Sequence, residues 1–302
     1  MNKSDQEFNV NESTVKVDGK DVRFFTAKPP GLTKDNAKSN TVVLVHGTSG
    51  NTTLHFSHLF PLLATKHAVI SLDFSQPVKA GEILTPEHLG KQVEAVIETA
   101  APGESVTLIG YSLGSVVAAS VAAKRPDLVR NLVLLAGWLK TDLQMERLVA
   151  VWRHLYETNS PVITEFVMYC AGGVPGHVDM YPDPPPTGFE NINPGEFDIL
   201  QLDLDARVDI TQIAPTIKAT TLIIGCTHDK ITPTYHSKAL LGAIPDARYI
   251  EIEAGHAVIY ERPAQLMLVI DQFCAAPSLY LPGPLFPLTR YNPFYALESY
   301  YE

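Results

Sequence analysis

Residues 110–114 read Gly-Tyr-Ser-Leu-Gly and place Ser112 at the centre of a G-x-S-x-G motif. An apolar, β-branched run at 106–109 precedes the motif, and a run of small residues at 115–123, typical of a helix, follows it. A sharp turn between strand and helix exposes a serine hydroxyl as a nucleophile. The sequence therefore predicts that Ser112 is a catalytic nucleophile in a strained turn, and that the two glycines allow neighbouring backbone to pass closely.

A serine nucleophile needs a base to take its proton and an acid to orient that base. In this motif context the acid and the histidine follow the serine in that order along the chain. Asp229 comes just after the apolar run 219–225, and His256 just after the alternating run 247–252. Both would lie at the carboxyl ends of parallel strands, where open sheets carry their chemistry. We predict a Ser112, Asp229 and His256 triad, with Asp142 as the alternative acid.

Two backbone N–H groups are predicted to hold the negative charge that develops on a carbonyl oxygen under attack. One is the N–H of Leu113, the residue after the nucleophile. The other must come from a loop after an earlier strand, and the run 41–45 leads into His-Gly-Thr-Ser-Gly. Since Gly47 permits close approach of the backbone, Thr48 is the candidate for the second donor.

These residues together resemble the α/β-hydrolase superfamily, over roughly residues 12–136 and 208–274. The matching motifs are His46-Gly47, the Ser112 turn, Gly225 and Pro233 around Asp229, and Gly255-His256. The resemblance implies an α/β fold with a mostly parallel, twisted, eight-stranded sheet flanked by helices, and a triad for ester-like acyl transfer. It also implies a structural role for His46. The chain departs from many relatives after the fourth strand, where Asp73-Phe74-Ser75 replaces a glycine turn.

Composition limits the classes of partner. The 302 residues, of which 45% are hydrophobic and 19% charged, suit one large α/β domain with an insertion. A net charge of −10 at pH 7 argues against nucleic acid, which needs a basic face. No run is apolar enough for a membrane span, and three scattered cysteines do not suggest disulfides. Without a visible signal peptide, a cytoplasmic location is expected, and neither a metal nor an organic cofactor is required.

The regular alternation of predicted strands and helices is interrupted at residues 138–207. We predict a mainly helical lid there, inserted after the sixth strand into a core formed by 1–137 and 208–274. Its apolar residues could line a substrate pocket or could simply pack the lid onto the core. The pocket candidates, including one from the serine motif, are Tyr111, Trp138, Leu148, Trp152 and Phe166.

Two further segments receive expectations of their own. Asp203, Asp205 and Asp209 are expected to lie in a solvated loop and helix cap before the seventh strand. The tail, 275–302, is rich in proline and aromatic residues, and is too apolar for an ordinary disordered end. We expect it to dock on the body of the protein, or on a second subunit in a homo-oligomer.

The function that fits these features is hydrolysis of an ester, thioester or lactone of a small hydrophobic molecule through an acyl-enzyme on Ser112. Acyl transfer, cyclisation or carbon–carbon bond hydrolysis with the same residues is the first alternative. A small-molecule receptor on a hydrolase fold is the second. The serine argues against haloalkane dehalogenase or epoxide hydrolase chemistry, since those relatives attack with an aspartate at this position.

Overall fold

A twisted sheet runs through the computed structural model, which describes residues 9–29, 31, 41–79, 81–173 and 195–285. In this part of the chain the strand order is β1-β2-β4-β3-β5-β6-β7-β8-β9. β2 pairs antiparallel with β1 and β4, and all the other pairs are parallel. The strands are β1 (Asn11–Val17), β2 (Lys20–Ala27), β3 (Val42–Val45), β4 (Val69–Asp73), β5 (Val106–Tyr111), β6 (Val129–Leu135), β7 (Thr220–Cys226), β8 (Ala247–Ile252) and β9 (Gly283–Pro284).

Helices cover both faces of this sheet. The central strands β3 and β5 are buried along their whole length, as expected for parallel strands covered on both sides. Two separate apolar clusters, one on each side, account for this burial. The helices are α1 (Thr52–Phe56), α2 (Leu59–Ala64), α3 (Pro86–Ala100), α4 (Leu113–Lys124), α5 (Leu143–Glu157), α6 (Ile163–Ala171), α7 (Glu196–Asp205), α8 (Thr234–Ala243), α9 (Val258–Glu261) and α10 (Pro263–Ala275).

The eight strands expected from the sequence are all present, and the described chain adds a short ninth. β9 lies parallel to β8 at the edge of the sheet, with Gly283 opposite Arg248. The Arg248 Nε donates to the Tyr280 carbonyl at 2.9 Å, and the Leu285 N–H donates to the Tyr249 carbonyl at 2.9 Å. The first part of the tail thus contacts the body of the protein. Residues 286–302 lie outside the described residues.

Within the described residues, the helices α5, α6 and α7 lie between β6 and β7, in the segment where the sequence predicts an insertion. α5 packs against α6 and α7 around a small apolar cluster that includes Val149, Tyr156 and Leu202. The proline run at 183–186 falls outside the described residues. Among the helices that are described, none is long and apolar enough to cross a membrane.

Candidate active site

Ser112 occupies a sharp turn between β5 and α4. Its backbone angles are φ 55° and ψ −124°. Residues other than glycine rarely adopt a positive φ of this kind. The neighbouring glycines are required by packing. A Cβ on Gly114 would lie 2.1 Å from the Val45 carbonyl oxygen, and one on Gly110 would lie 2.2 Å from the Gly114 oxygen. The strain therefore sits at one residue, whose position is fixed by the packed backbone around it.

The three residues expected to form a triad lie in one hydrogen-bonded chain. The Ser112 Oγ is 2.9 Å from the His256 Nε2, and the His256 Nδ1 is 2.7 Å from the Asp229 Oδ2. All three residues are buried, at 8%, 5% and 6% exposure respectively. The arrangement brings together a hydroxyl, an imidazole and a carboxylate in the order needed to move a proton from the serine.

The Asp229 carboxylate is fixed by three donors from its own loop. The backbone N–H groups of Ile231 and Thr232 each donate to Oδ1 at 2.8 Å. The Thr232 hydroxyl donates to Oδ2 at 2.8 Å. Because these bonds occupy the other lone pairs, the carboxylate presents Oδ2 to the histidine in a single orientation. Asp142, the alternative acid, instead caps α5 and accepts a bond from Tyr235.

The loop that carries His256 is held from two sides. The Tyr111 hydroxyl donates to the His256 carbonyl at 2.9 Å. The buried carboxylate of Glu261 accepts the N–H of Gly255 at 3.1 Å and, through its other oxygen, the N–H of Gly173 at 2.9 Å. Glu261 thereby joins the end of α6 to the histidine loop.

The loop after β3 approaches the nucleophile closely. A Cβ on Gly47 would lie 2.8 Å from the Ser112 Cβ, so the next residue, Thr48, stands beside the serine. The N–H groups of Thr48 and Leu113 donate to none of the turn and loop hydrogen bonds found within the described residues. Leu113 follows Ser112 in sequence, and Thr48 follows the Gly47 that contacts it.

His55 is a site residue that the sequence motifs do not point to. Its side chain is half-buried and lines the cavity described below, and its Nδ1 accepts the Gly47 N–H at 3.1 Å. Burial, with smaller contributions from His46 and His256, holds the pKa of His55 well below its usual value. The neutral ring is the form that can accept this hydrogen bond. His55 therefore fixes the conformation of the loop that carries Thr48.

His46 also serves the backbone of this region. The Phe74 N–H donates to its Nε2 at 3.0 Å, and its Nδ1 lies 2.8 Å from the Gly47 carbonyl oxygen. Burial lowers the pKa of His46. A neutral ring that donates through Nδ1 and accepts through Nε2 satisfies both contacts. The ring thus links the loop after β3 to the loop after β4.

A cavity of about 260 Å³ opens above Ser112 and His256. Four of the five residues expected in a pocket contribute to its lining: Tyr111, Trp138, Leu148 and Trp152. Phe166 does not. Helix α6 turns the neighbouring Val167 toward the cavity, and the Phe166 ring packs against Trp152, with ring centres 6.3 Å apart.

The expectation of a solvated acidic cluster is wrong for Asp205. This residue ends α7, is 7% exposed and lines the cavity. Its Oδ2 accepts the Thr48 hydroxyl at 2.6 Å. Burial raises the pKa of Asp205 to about 8, a rise that the bond from Thr48 only partly opposes. Asp203 and Asp209 do lie toward solvent, where they pair with Arg153 and Lys140.

Comparison with known proteins places this site in a family. Residues 42–267 match the family model described as the alpha/beta hydrolase family. The chain therefore belongs to the alpha/beta hydrolase family, a class of hydrolases, and the strand order and the serine turn agree with that membership.

Individual relatives are similar over most of the chain. It is 31% identical to a pyrrolizixenacetamide deacetylase from Xenorhabdus hominickii over 86% of its own length and 96% of that protein. A metagenomic alpha/beta hydrolase from the deep-sea Medee basin has a TM-score of 0.74 at 21% identity, covering 87% of this chain and 97% of that one. An enol-lactonase from Burkholderia xenovorans has a TM-score of 0.72 at 17% identity, covering 87% and 100%. The two structures are similar in fold.

Proposed function

We propose that this protein is a serine hydrolase that cleaves an ester, thioester or lactone of a small hydrophobic molecule through an acyl-enzyme on Ser112. One observation carries the proposal: the unbroken hydrogen-bonded chain from the Ser112 Oγ through His256 to Asp229, at 2.9 Å and 2.7 Å. Such a chain lets a hydroxyl act as a nucleophile at neutral pH.

In the first half of the reaction the Ser112 oxygen attacks the substrate carbonyl carbon while the His256 Nε2 takes the hydroxyl proton. The carbonyl oxygen becomes an oxyanion and accepts hydrogen bonds from the N–H groups of Thr48 and Leu113. Asp229 holds the imidazole in the correct tautomer and stabilises its charged form. When the tetrahedral intermediate collapses, the bond to the leaving group breaks, and the His256 proton passes to that group.

In the second half water replaces the leaving group. The His256 Nε2 takes a proton from the water molecule, whose oxygen attacks the acyl carbon. The same two N–H groups hold the second oxyanion. Collapse breaks the bond to the Ser112 oxygen, which recovers its proton from His256, and the carboxylic acid leaves. No proton or electron is left over, and no cofactor takes part in any of these steps.

The segment 138–207 is proposed to act as a lid that shapes the substrate pocket. Met145, Leu148 and Trp152 on α5 and Val167 on α6 line the same cavity as Ser112. An apolar wall of this kind favours a hydrophobic group over a sugar or phosphate ester. Because the cavity has a volume of about 260 Å³, we expect the substrate to be small.

Amide hydrolysis is a second candidate, and the relative named as a deacetylase favours it. An amide requires protonation of its nitrogen as the bond to carbon breaks. The His256 Nε2 faces the Ser112 Oγ and is placed to supply that proton. The same residues would then remove an acyl group, such as acetyl, from nitrogen.

Intact-mass measurement after incubation with a fluorophosphonate tests the proposal, because this reagent labels only an activated serine. We expect one label on the wild type and none on Ser112→Ala. Ser120→Ala is the matched control, because Ser120 lies on the following helix and only donates to the Val116 carbonyl. Absence of labelling on folded wild-type protein would overturn the serine mechanism and favour a receptor.

A second assay identifies which type of bond is cleaved and which molecule accepts the acyl group. Initial rates with p-nitrophenyl acetate and p-nitroacetanilide compare an ester and an amide that share one acyl group. Faster ester cleavage supports the first candidate, and faster amide cleavage supports the second. Mass analysis of the products distinguishes free acid from a cyclised or transferred acyl group.

A further inference from the structure

Helix α7 binds the loop that follows β3, residues 47–50 (the oxyanion loop). The Thr48 hydroxyl donates to the Asp205 Oδ2 at 2.6 Å, and the Ser49 N–H donates to the Gln201 Oε1 at 3.2 Å. Gln201 and Asp205 are one helical turn apart on α7, so their side chains lie on the same face of the helix. Both residues are buried. Two consecutive residues of the loop are thus bound by consecutive turns of one helix.

Asp205 is itself fixed to the core of the protein. Its backbone carbonyl accepts the Thr141 hydroxyl at 2.5 Å, and the oxygen of that hydroxyl accepts the Trp138 Nε1–H at 2.9 Å. Trp138 and Thr141 lie shortly after β6 and are buried. A chain of hydrogen bonds therefore runs from the end of β6 through Asp205 to Thr48. Because Trp138, Thr141 and Asp205 are shielded from water, these bonds hold the end of α7 in one position.

The conformation of the oxyanion loop requires support of this kind. Ser49 has a φ of 56°, in the left-handed region that residues other than glycine seldom occupy. Gly47, on the other side of Thr48, is bound by the core, because its N–H donates to the His55 Nδ1 at 3.1 Å. The planar peptide group that carries the Thr48 N–H lies between these two points. The bonds from α7 therefore fix the direction in which this N–H points.

We propose that Asp205 and Gln201 are positioning residues, which act through the oxyanion loop and direct the Thr48 N–H toward the carbonyl oxygen under attack. This role rests on the proposed serine hydrolase function, in which Thr48 is one of the two oxyanion donors. An oxyanion donor must already point at the developing charge before the reaction begins. The segment between β6 and β7 thus contributes to the alignment of the reacting groups as well as to the wall of the cavity.

The variants separate the side-chain bonds from the backbone donor. Thr48→Val keeps the N–H and the branched shape of threonine but removes the bond to Asp205, whereas Thr48→Ser keeps that bond. Asp205→Leu removes the acceptor, and Asp205→Asn keeps an oxygen that can accept the same hydroxyl. Gln201→Leu removes the second contact of α7 with the loop. Asp203→Asn is the matched control, because Asp203 is on the same helix but pairs with Arg153.

The measured quantity is the inhibition constant of 2,2,2-trifluoroacetophenone, whose carbonyl carbon accepts a serine nucleophile. The Ser112 oxygen adds to this carbon, the hydroxyl proton passes to His256, and the carbonyl oxygen becomes an oxyanion. The adduct resembles the tetrahedral intermediate but has no leaving group. kcat/KM for p-nitrophenyl acetate is measured alongside. Because the inhibition constant reports only on active molecules, partial unfolding lowers kcat and leaves the inhibition constant unchanged.

We expect the inhibition constant to rise by about tenfold to hundredfold in Thr48→Val, Asp205→Leu and Gln201→Leu, because a small misplacement of a reacting group costs about this much. kcat/KM should fall by the same factor. The double variant with Thr48→Val and Asp205→Leu should equal the more affected single variant, since both changes remove one bond. Thr48→Ser and Asp205→Asn should recover most of the loss, and Asp203→Asn should match the wild type.

Four results would contradict this expectation. An unchanged inhibition constant in Thr48→Val or Asp205→Leu would overturn the role of Asp205, even if kcat falls. The same result in Gln201→Leu would overturn the role of Gln201. Additive losses in the double variant, or an equal loss in Asp203→Asn, would show that the bond to Thr48 does not carry the effect.

Fluorophosphonate labelling separates a failure of this role from a failure of the proposed function. Wild-type protein that takes no label would reject the serine mechanism and the positioning role together. A labelled Ser112 with unchanged inhibition constants in the variants would reject the positioning role alone and retain the serine mechanism.

Discussion

Replacement of Asp205 by asparagine is expected to stabilise the folded protein at pH 8, and this stabilisation is expected to disappear as the pH falls toward 5. The unfolded aspartate loses its proton near its ordinary pKa of 3.8, whereas the folded one keeps its proton up to about pH 8. Between these two values the unfolded state binds fewer protons, so the wild type loses stability with rising pH. Asparagine does not titrate, and the variant escapes this loss.

The size of the effect follows from the displacement of the pKa. One pKa unit is worth about 1.4 kcal/mol, so a rise from 3.8 to about 8 costs the wild type about 5 kcal/mol of unfolding free energy at pH 8. The corresponding cost at pH 5 is about 1.5 kcal/mol. The unpaired amide nitrogen of the variant costs about 1 to 3 kcal/mol at every pH. The change of the stability difference with pH is therefore a clearer test than the stability difference at any one pH.

Urea unfolding at pH 5 and pH 8 measures this dependence in the wild type, Asp205→Asn and Asp203→Asn. The difference in unfolding free energy between Asp205→Asn and the wild type should grow by about 3 to 4 kcal/mol across that interval. Asp203→Asn should show no comparable growth, because Asp203 is partly exposed and already paired with Arg153. A difference that stays constant with pH would show that Asp205 is ionised in the folded protein and would refute the reasoning.

Other substitutions test the packing and the proton path. Gly114→Ala should lower the unfolding free energy in urea by about 3 kcal/mol or more, because its Cβ would lie 2.1 Å from the Val45 oxygen. Gly242→Ala, with no atom within 4 Å of its Cβ in α8, should instead gain up to about 1 kcal/mol. Thr232→Val removes a donor to Asp229 and should lower kcat by about tenfold in steady-state assays while KM stays nearly constant. A raised KM at constant kcat would contradict that role.

Much of the fold could be read from the sequence, because its signals are local. The run 106–109, the glycines around Ser112 and the small residues of α4 each predict their own conformation, and together they define one turn. The Asp18-Gly19 pair predicts a hairpin, and both residues take positive φ values of 48° and 80° in the turn between β1 and β2. Neighbouring residues suffice for conclusions of this kind.

The features that the sequence did not reveal depend on distant contacts. The burial of Asp205 arises because α7 folds onto a loop 157 residues away, where Thr48 meets the carboxyl group. Its acidic neighbours on the chain suggested a solvated surface. β9 is a Gly-Pro pair, which reads as a turn until an open sheet edge offers it a partner. The orientation of Phe166 depends on which face of α6 packs against the rest of the protein. The sequence of a short helix that is apolar on most sides does not determine that face.

The hydrogen bonds of Glu261 connect the end of α6 to the loop that carries His256. The carboxylate joins Gly173, at the end of α6, to Gly255 beside the histidine, and the Ala257 N–H also donates to the Ala171 carbonyl at 2.9 Å. An outward swing of α6 must either break these bonds or drag the imidazole with it. The position of α6 and the orientation of the imidazole are therefore mechanically coupled.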